Sequence, residues 1–173
     1  MRILLVDDHP ITRAALASLL EGHDFSVAGE AADGDQAIEL ARRLRPDLVL
    51  LDLSMPGLDG LQALPRIREA APATEVVVLT ASGTEENLLA AIRGGAAGYL
   101  LKSEPPERIA AFLRGIAEGD LADVLLRAAA FARVVATGRA TLSESTPAEA
   151  QRMLVLAEQL EAAGHAELGA GLA

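Results

Sequence analysis

The stretch DLVLLDLSMPGLDGL, residues 47–61, decides the fold class. Leu48–Leu51 is a continuous apolar run rather than an alternating one, which is typical of a strand buried on both faces. The run ends at Asp52, and the Pro and Gly residues that follow indicate a loop. Because strands of this kind belong to parallel sheets covered by helices, the stretch predicts the centre of an α/β domain.

Apolar runs and helical patterns alternate over the first 119 residues. The predicted strands are Ile3–Val6, Phe25–Ala28, Leu48–Leu51, Val76–Leu79 and Gly98–Leu101. The predicted helices lie near residues 11–21, 34–44, 60–70, 85–94 and 106–118. Five strands alternating with five helices predict a parallel sheet with right-handed crossovers and helices on both faces.

Composition excludes several functional classes. The 173 residues are 51% hydrophobic, which argues against global disorder, and carry a formal net charge of −10, which disfavours binding to nucleic acid through a basic surface. The absence of Cys excludes disulfides, thiol nucleophiles and thiolate metal sites. No apolar run approaches the roughly 18 residues of a membrane span or resembles a signal peptide, so we expect a cytoplasmic protein.

Polar residues occupy one end of the predicted strands. Asp7 and Asp8 follow the first strand, Asp52 the third, Thr80 the fourth and Lys102 the fifth. These carboxyl ends share one edge of a parallel sheet, where open α/β sheets bind their ligands. Neighbouring carboxylates repel one another and suit a hard cation such as Mg²⁺, and an Asp can act as a phosphoryl nucleophile. The edge therefore predicts a phosphoryl-transfer site.

Four segments together resemble one family. Residues 1–119 resemble the receiver domain of two-component response regulators, in the branch that usually carries a LuxR/FixJ-type helix-turn-helix output. The matching segments are ILLVDDHPITRAALASLL (3–20), DLVLLDLSMPGLDGL (47–61), VVVLTAS (76–82) and GAAGYLLKSEPPERIAAFLRGI (95–116). The resemblance implies a flavodoxin-like (βα)5 fold with a five-stranded parallel sheet in the order 2-1-3-4-5.

The resemblance also implies roles for the residues at the edge. Asp52 would be the phospho-acceptor, taking a phosphoryl group from a phosphohistidine of a sensor histidine kinase. Asp8 and Asp52 would bind Mg²⁺ (or Mn²⁺) directly, Asp7 would bind it through water, and the backbone carbonyl of Ser54 would complete the ligands.

Three further residues would complete the site. By the same resemblance, Lys102 would pair with the phosphoryl group, while Thr80 and Tyr99 would move together as a switch. Simpler interpretations stay open, with Thr80 as an ordinary strand-end residue and Tyr99 as a core aromatic. His9 is interpreted either as a solvated loop residue or as one that tunes dephosphorylation.

Residues 120–173 have a different character. Apolar spacing predicts a helical extension with two helices, near 121–137 and 147–163, and a frayed end. Residues 121–173 contain 4 Arg, no Lys and 6 Asp or Glu, which makes DNA binding unlikely. We expect a homodimer through the receiver or through these helices. The alternatives are packing on its own receiver, a partly disordered end, or a degenerate DNA-binding domain.

The leading hypothesis is a signalling module that carries out only its own phosphoryl transfer and autodephosphorylation. Three other functions compete with it. The first is a DNA-binding transcriptional regulator whose helix-turn-helix is degenerate or missing. An Asp-nucleophile phosphatase needs a second Asp two residues after the first, where this chain has His9. A flavodoxin-like nucleotide binder is disfavoured because the loop Asp7–Pro10 is acidic and lacks glycine.

Overall fold

The computed structural model describes residues 1–81 and 84–118. In this part of the chain, strands and helices alternate in the order β1 Arg2–Val6, α1 Pro10–Glu21, β2 Ser26–Ala31, α2 Gly34–Leu44, β3 Leu48–Leu51, α3 Gly60–Ala70, β4 Glu75–Thr80, α4 Glu85–Arg93, β5 Gly98–Leu101 and α5 Pro106–Glu118. None of these helices is long and apolar enough to span a bilayer. The helices predicted near 121–137 and 147–163 lie outside the described residues.

The five strands form one parallel sheet in the order β2-β1-β3-β4-β5, which confirms the predicted fold class. The strand order reverses between β1 and β3, where Val6 pairs with Leu51. Residues that directly follow these two partners therefore lie side by side at the carboxyl edge of the sheet. Such a reversal point is where ligands of open α/β sheets bind.

The second strand differs most from its prediction. The apolar run predicted Phe25–Ala28, whereas β2 spans Ser26–Ala31 and forms an edge of the sheet. Phe25 instead donates its backbone N–H to the Leu20 carbonyl at 3.1 Å, in the turn after α1. An edge strand needs no continuous apolar run, and backbone pairing with β1 carries β2 on to Ala31. Hydrophobicity alone therefore placed its end too early.

The central strand is buried along its whole length. All four residues of Leu48–Leu51 are at most 2% exposed. On one face, Val49 and Leu51 share a core cluster with small and branched side chains of α2 and α3, among them Ala37, Ala41, Leu64 and Ile67. This packing leaves Asp52, the next residue, at the end of a rigid strand.

The loop after β3 is held against the sheet by the start of α3. The Asp59 carboxylate caps this helix by accepting the Gln62 N–H at 2.8 Å. The Gly60 N–H donates to the Leu53 carbonyl at 3.0 Å. A Cβ on Gly60 would overlap the Asp52 carbonyl oxygen and lie 2.8 Å from the Leu53 Cα. Only glycine allows α3 to begin this close to the peptide that carries Asp52.

We predict that Gly60→Ala lowers the free energy of unfolding by about 3 kcal/mol, because its methyl group meets backbone that cannot rotate away. Gly57→Ala is the matched control, because Gly57 has a φ of +77° but nothing within 4 Å of its added Cβ. Its cost is conformational strain alone, about 1 kcal/mol. Urea unfolding of both variants tests the difference, and equal losses would contradict the proposed backbone overlap.

Candidate functional site

Two buried carboxylates meet where β1 and β3 end. Asp7 is 1% exposed and Asp52 is 3% exposed. The Asp52 N–H donates to the Val6 carbonyl at 2.8 Å, and the Asp7 N–H donates to the Ala31 carbonyl at 3.1 Å. Both backbones thus continue the pairing of the sheet past its last residues. The structure brings together these two predicted site residues at the point where the strand order reverses.

Lys102 lies between the two carboxylates. Its Nζ is 2.5 Å from Asp7 Oδ2 and 2.8 Å from Asp52 Oδ2. Its backbone N–H donates to the Thr80 carbonyl at 2.8 Å, which ties the residue after β5 to the end of β4. Burial lowers the pKa of the Lys102 ammonium, but its close contacts with the negatively charged Asp52 and Asp7 outweigh this, so the pKa is raised above its usual value. Lys102 therefore remains charged and offsets part of the acidic excess.

Asp8 and His9 extend the site towards solvent. His9 Nδ1 is 2.7 Å from Asp8 Oδ1, and the His9 backbone N–H donates to Asp7 Oδ1 at 2.8 Å. The potential ligand atoms of Asp7, Asp8 and His9 all lie within 4.8 Å of one another. His9 was absent from the predicted ligand set, although its position directly after two Asp residues was a visible signal. The described residues thus include a compact ligand group of three neighbours in sequence.

The donor set fits a hard divalent cation. Asp7 Oδ2 and Asp8 Oδ1 are buried and have no aligned hydrogen bond, although Lys102 Nζ and His9 Nδ1 lie close to them. The short contact of Lys102 Nζ with Asp7 Oδ2 therefore supplies positive charge without an aligned hydrogen bond. Three carboxylates beside one lysine retain an excess of negative charge. Oxygen ligands with this excess are the kind that Mg²⁺ and Mn²⁺ prefer.

Two predicted ligands stand apart from the compact group. Asp52 Oδ2 accepts a hydrogen bond from Lys102, and Asp52 Oδ1 lies 3.4 Å from the Ser54 N–H. Ser54 lies in the loop that follows Asp52, and its backbone N–H contacts the Asp52 carboxylate. The participation of Asp52 and of the Ser54 backbone carbonyl in metal binding stays a prediction.

The predicted switch residues lie on β4 and β5. Thr80 is fully buried at the end of β4, and its carbonyl holds the Lys102 backbone. Tyr99 pairs with Val78 in the β4–β5 register and packs against the core cluster that contains Val76. Burial raises the pKa of the Tyr99 phenol, so this side chain remains neutral at physiological pH. The structure thus places Thr80, fully buried, at the carboxyl end of β4, and Tyr99, partly buried, on the edge strand β5.

We predict that Lys102→Met lowers the free energy of unfolding by about 2–3 kcal/mol at neutral pH, because Asp7 and Asp52 would then lie buried without their cation. The double variant Lys102→Met/Asp52→Asn should recover most of this loss, since it also removes one carboxylate. Chemical denaturation in metal-free buffer measures both. A single variant as stable as the wild type would show that the carboxylates do not depend on Lys102.

Comparison with known proteins identifies the domain. Residues 3–114 match the family described as response regulator receiver domain. The nitrate/nitrite response regulator NarL of Escherichia coli K12 is 40% identical over 163 residues, which cover 91% of this chain and 76% of NarL. Its counterpart NarP from the same strain is 41% identical over 119 residues, which cover 68% of this chain and 55% of NarP.

The fold agrees with the sequence matches. The crystal structure of a LuxR-family two-component response regulator from Aurantimonas sp. SI85-9A1 superposes with a TM-score of 0.66 and 34% identity, covering 73% of this chain and 94% of that one. Several curated relatives are much longer than the match, and the chain spans little more than half of NarP. The chain belongs to the response regulator receiver domain family and is related to the NarL/LuxR-type regulators.

Proposed function

We propose that this chain is a cytoplasmic two-component response regulator that accepts a phosphoryl group on Asp52 from the phosphohistidine of a sensor histidine kinase. The position of Lys102, 2.8 Å from Asp52 Oδ2, carries the proposal because it places a cation beside the acceptor oxygens. An Asp52 oxygen would attack phosphorus and form a P–O bond. The P–N bond would break, and its electron pair would stay on the imidazole. The only other chemistry proposed is autodephosphorylation.

We propose that Asp7, Asp8, Asp52 and the Ser54 carbonyl hold Mg²⁺ or Mn²⁺, with Asp7 acting through water. When bound, the cation would neutralise charge between the acceptor carboxylate and the incoming phosphoryl oxygens. The buried oxygens without aligned hydrogen bonds, Asp7 Oδ2 and Asp8 Oδ1, support this assignment. They give this chain ligand atoms that no protein N–H or O–H satisfies with good geometry.

The proposed switch follows from charge balance. A phosphoryl group adds about −1.5 to −2 units of charge at a site that is already acidic. Lys102 has a flexible stem and can exchange its contact with Asp7 for one with a phosphoryl oxygen. Thr80 would then donate its hydroxyl to the group, and Tyr99 would move into the space that Thr80 leaves. The Lys102–Thr80 backbone hydrogen bond supports coupling between these two positions.

The proposed output is association with a protein partner, most directly a second copy of this chain. The acidic composition of residues 121–173 supports contact with protein rather than with DNA. DNA binding is a second candidate because of the NarL match. Since 91% of 173 residues is about 157, that match continues at least about 39 residues past Glu118, beyond the receiver domain.

We predict that Asp52→Asn abolishes phosphoryl uptake from phosphoramidate, whose P–N bond resembles that of phosphohistidine, because the amide lacks the nucleophilic oxygen charge. Asp59→Asn is the matched control, since Asp59 lies in the same loop and Asn caps a helix equally well. Intact-protein mass measures uptake with Mg²⁺ and with EDTA. Uptake by Asp52→Asn, or equal uptake by the wild type in EDTA, would contradict the proposal.

For the output, we predict that Mg²⁺ with beryllium fluoride, a phosphoryl mimic, increases the solution mass of the full chain but not of Asp52→Asn. Light scattering measures the mass. Fluorescence anisotropy with duplex DNA at low salt tests the second candidate in the same samples. DNA binding that weakens steeply with salt, together with an unchanged mass, would replace the first output by the second.

A further inference from the structure

Arg13 joins the acidic site to the edge of the sheet. It lies in α1, and its Nη1 donates to the Asp7 carbonyl at 2.6 Å. Its Nε donates to Glu30 Oε2 at 2.9 Å, near the end of β2. The Arg13 side chain is only 16% exposed, whereas Glu30 is 47% exposed. One guanidinium thus bridges the backbone that follows β1 and a side chain of its neighbour strand.

The hydrogen bond from Arg13 to the Asp7 carbonyl also restrains Asp8. The carbonyl of Asp7 and the N–H of Asp8 belong to one planar peptide, so fixing the first also fixes the direction in which the chain enters Asp8. Asp7 itself is already held through its N–H by Ala31 and through Oδ1 by His9. Asp8 is 25% exposed and has a side-chain contact with His9. Its position therefore depends more strongly on this peptide plane.

We propose that Arg13 is a positioning residue of the cation site, which holds the Asp7–Asp8 peptide so that the Asp8 carboxylate points at the ion. This inference rests on the proposed cation binding. Residues that orient metal ligands from outside typically change metal affinity by about 10–100-fold when they are altered. A planar guanidinium suits the role because it can direct two N–H groups at fixed angles.

The positive charge of Arg13 opposes metal binding, whereas its positioning role would favour metal binding. A cation beside Asp7 and Asp8 repels a divalent ion, so removing Arg13 should tighten metal binding if charge were its whole effect. Loss of positioning should weaken metal binding instead. Glu30 already offsets much of this charge at 2.9 Å, which reduces the electrostatic effect. The sign of the change therefore separates the two roles.

The experiment measures Mn²⁺ binding to the full chain by isothermal titration calorimetry. The variants are Arg13→Lys, which keeps the charge but loses the fork, Arg13→Gln, which loses both, and Glu30→Gln, which removes only the outer partner. Asp8→Asn gives the affinity of a site without that ligand. We expect both Arg13 variants to raise the dissociation constant about tenfold. Glu30→Gln should raise it much less.

Two further readouts separate positioning from a general loss of structure. Thermal unfolding without metal should show that Arg13→Lys is folded at the titration temperature. Phosphoryl uptake from phosphoramidate by Arg13→Lys should return to the wild-type rate at saturating Mg²⁺, because only the affinity has changed. A rate that stays low at saturation would overturn the proposed role.

The outcomes also distinguish this inference from the proposed function. If the wild type binds no Mn²⁺, the proposed cation site fails and this inference fails with it. If the wild type binds Mn²⁺ and Arg13→Lys binds it equally well, positioning by Arg13 is wrong while the cation site stands. Tighter binding by Arg13→Gln would assign Arg13 a purely electrostatic effect and would also overturn the inference.

Discussion

The contact of one lysine with two buried carboxylates is the interaction on which the site depends. Asp7 and Asp52 follow adjacent strands, and the parallel register leaves them side by side whether or not their charges are favourable. Lys102 Nζ lies within 2.8 Å of an oxygen of each. Because carboxylates buried side by side repel each other, the ammonium group between them offsets part of the charge that the fold brings together.

The fold delivers these groups through backbone pairing rather than through flexible loops. Asp7, Asp52 and Lys102 each donate a backbone N–H to the carbonyl of the last residue of a neighbouring strand. Their Cα positions are therefore set by the same hydrogen bonds that hold the sheet together. A chemistry that needs separations of about 3 Å is supported best by such rigid elements. The strand Leu48–Leu51, which carries Asp52, is buried along its whole length.

Much of this arrangement could be predicted from the sequence. Continuous apolar runs located β3 and β5 at their observed bounds, and the strand ends pointed to Asp7, Asp52 and Lys102. The hydrophobic pattern predicted the bounds of β2 less well, because an edge strand is defined by backbone pairing and contains polar residues. The contact of Arg13 with the Asp7 carbonyl was not predicted. It depends on a side-chain conformation and on a backbone acceptor, neither of which leaves a pattern in sequence.

The site contains both stabilising and repulsive contacts between charged groups, and this combination suits a switch. Lys102 stabilises Asp7 and Asp52, yet Asp8 adds a third carboxylate whose Oδ1 has no aligned hydrogen bond. A cation or a phosphoryl group changes this balance by a full charge or more at a distance of a few ångströms. Groups held by opposing charges respond to such a change by exchanging partners. Lys102 is well suited to do so, because a backbone hydrogen bond fixes its main chain to Thr80 while its long, flexible side chain can change its contacts. Lys102 thus connects a change of charge at the carboxylates to the position of Thr80, the proposed switch residue.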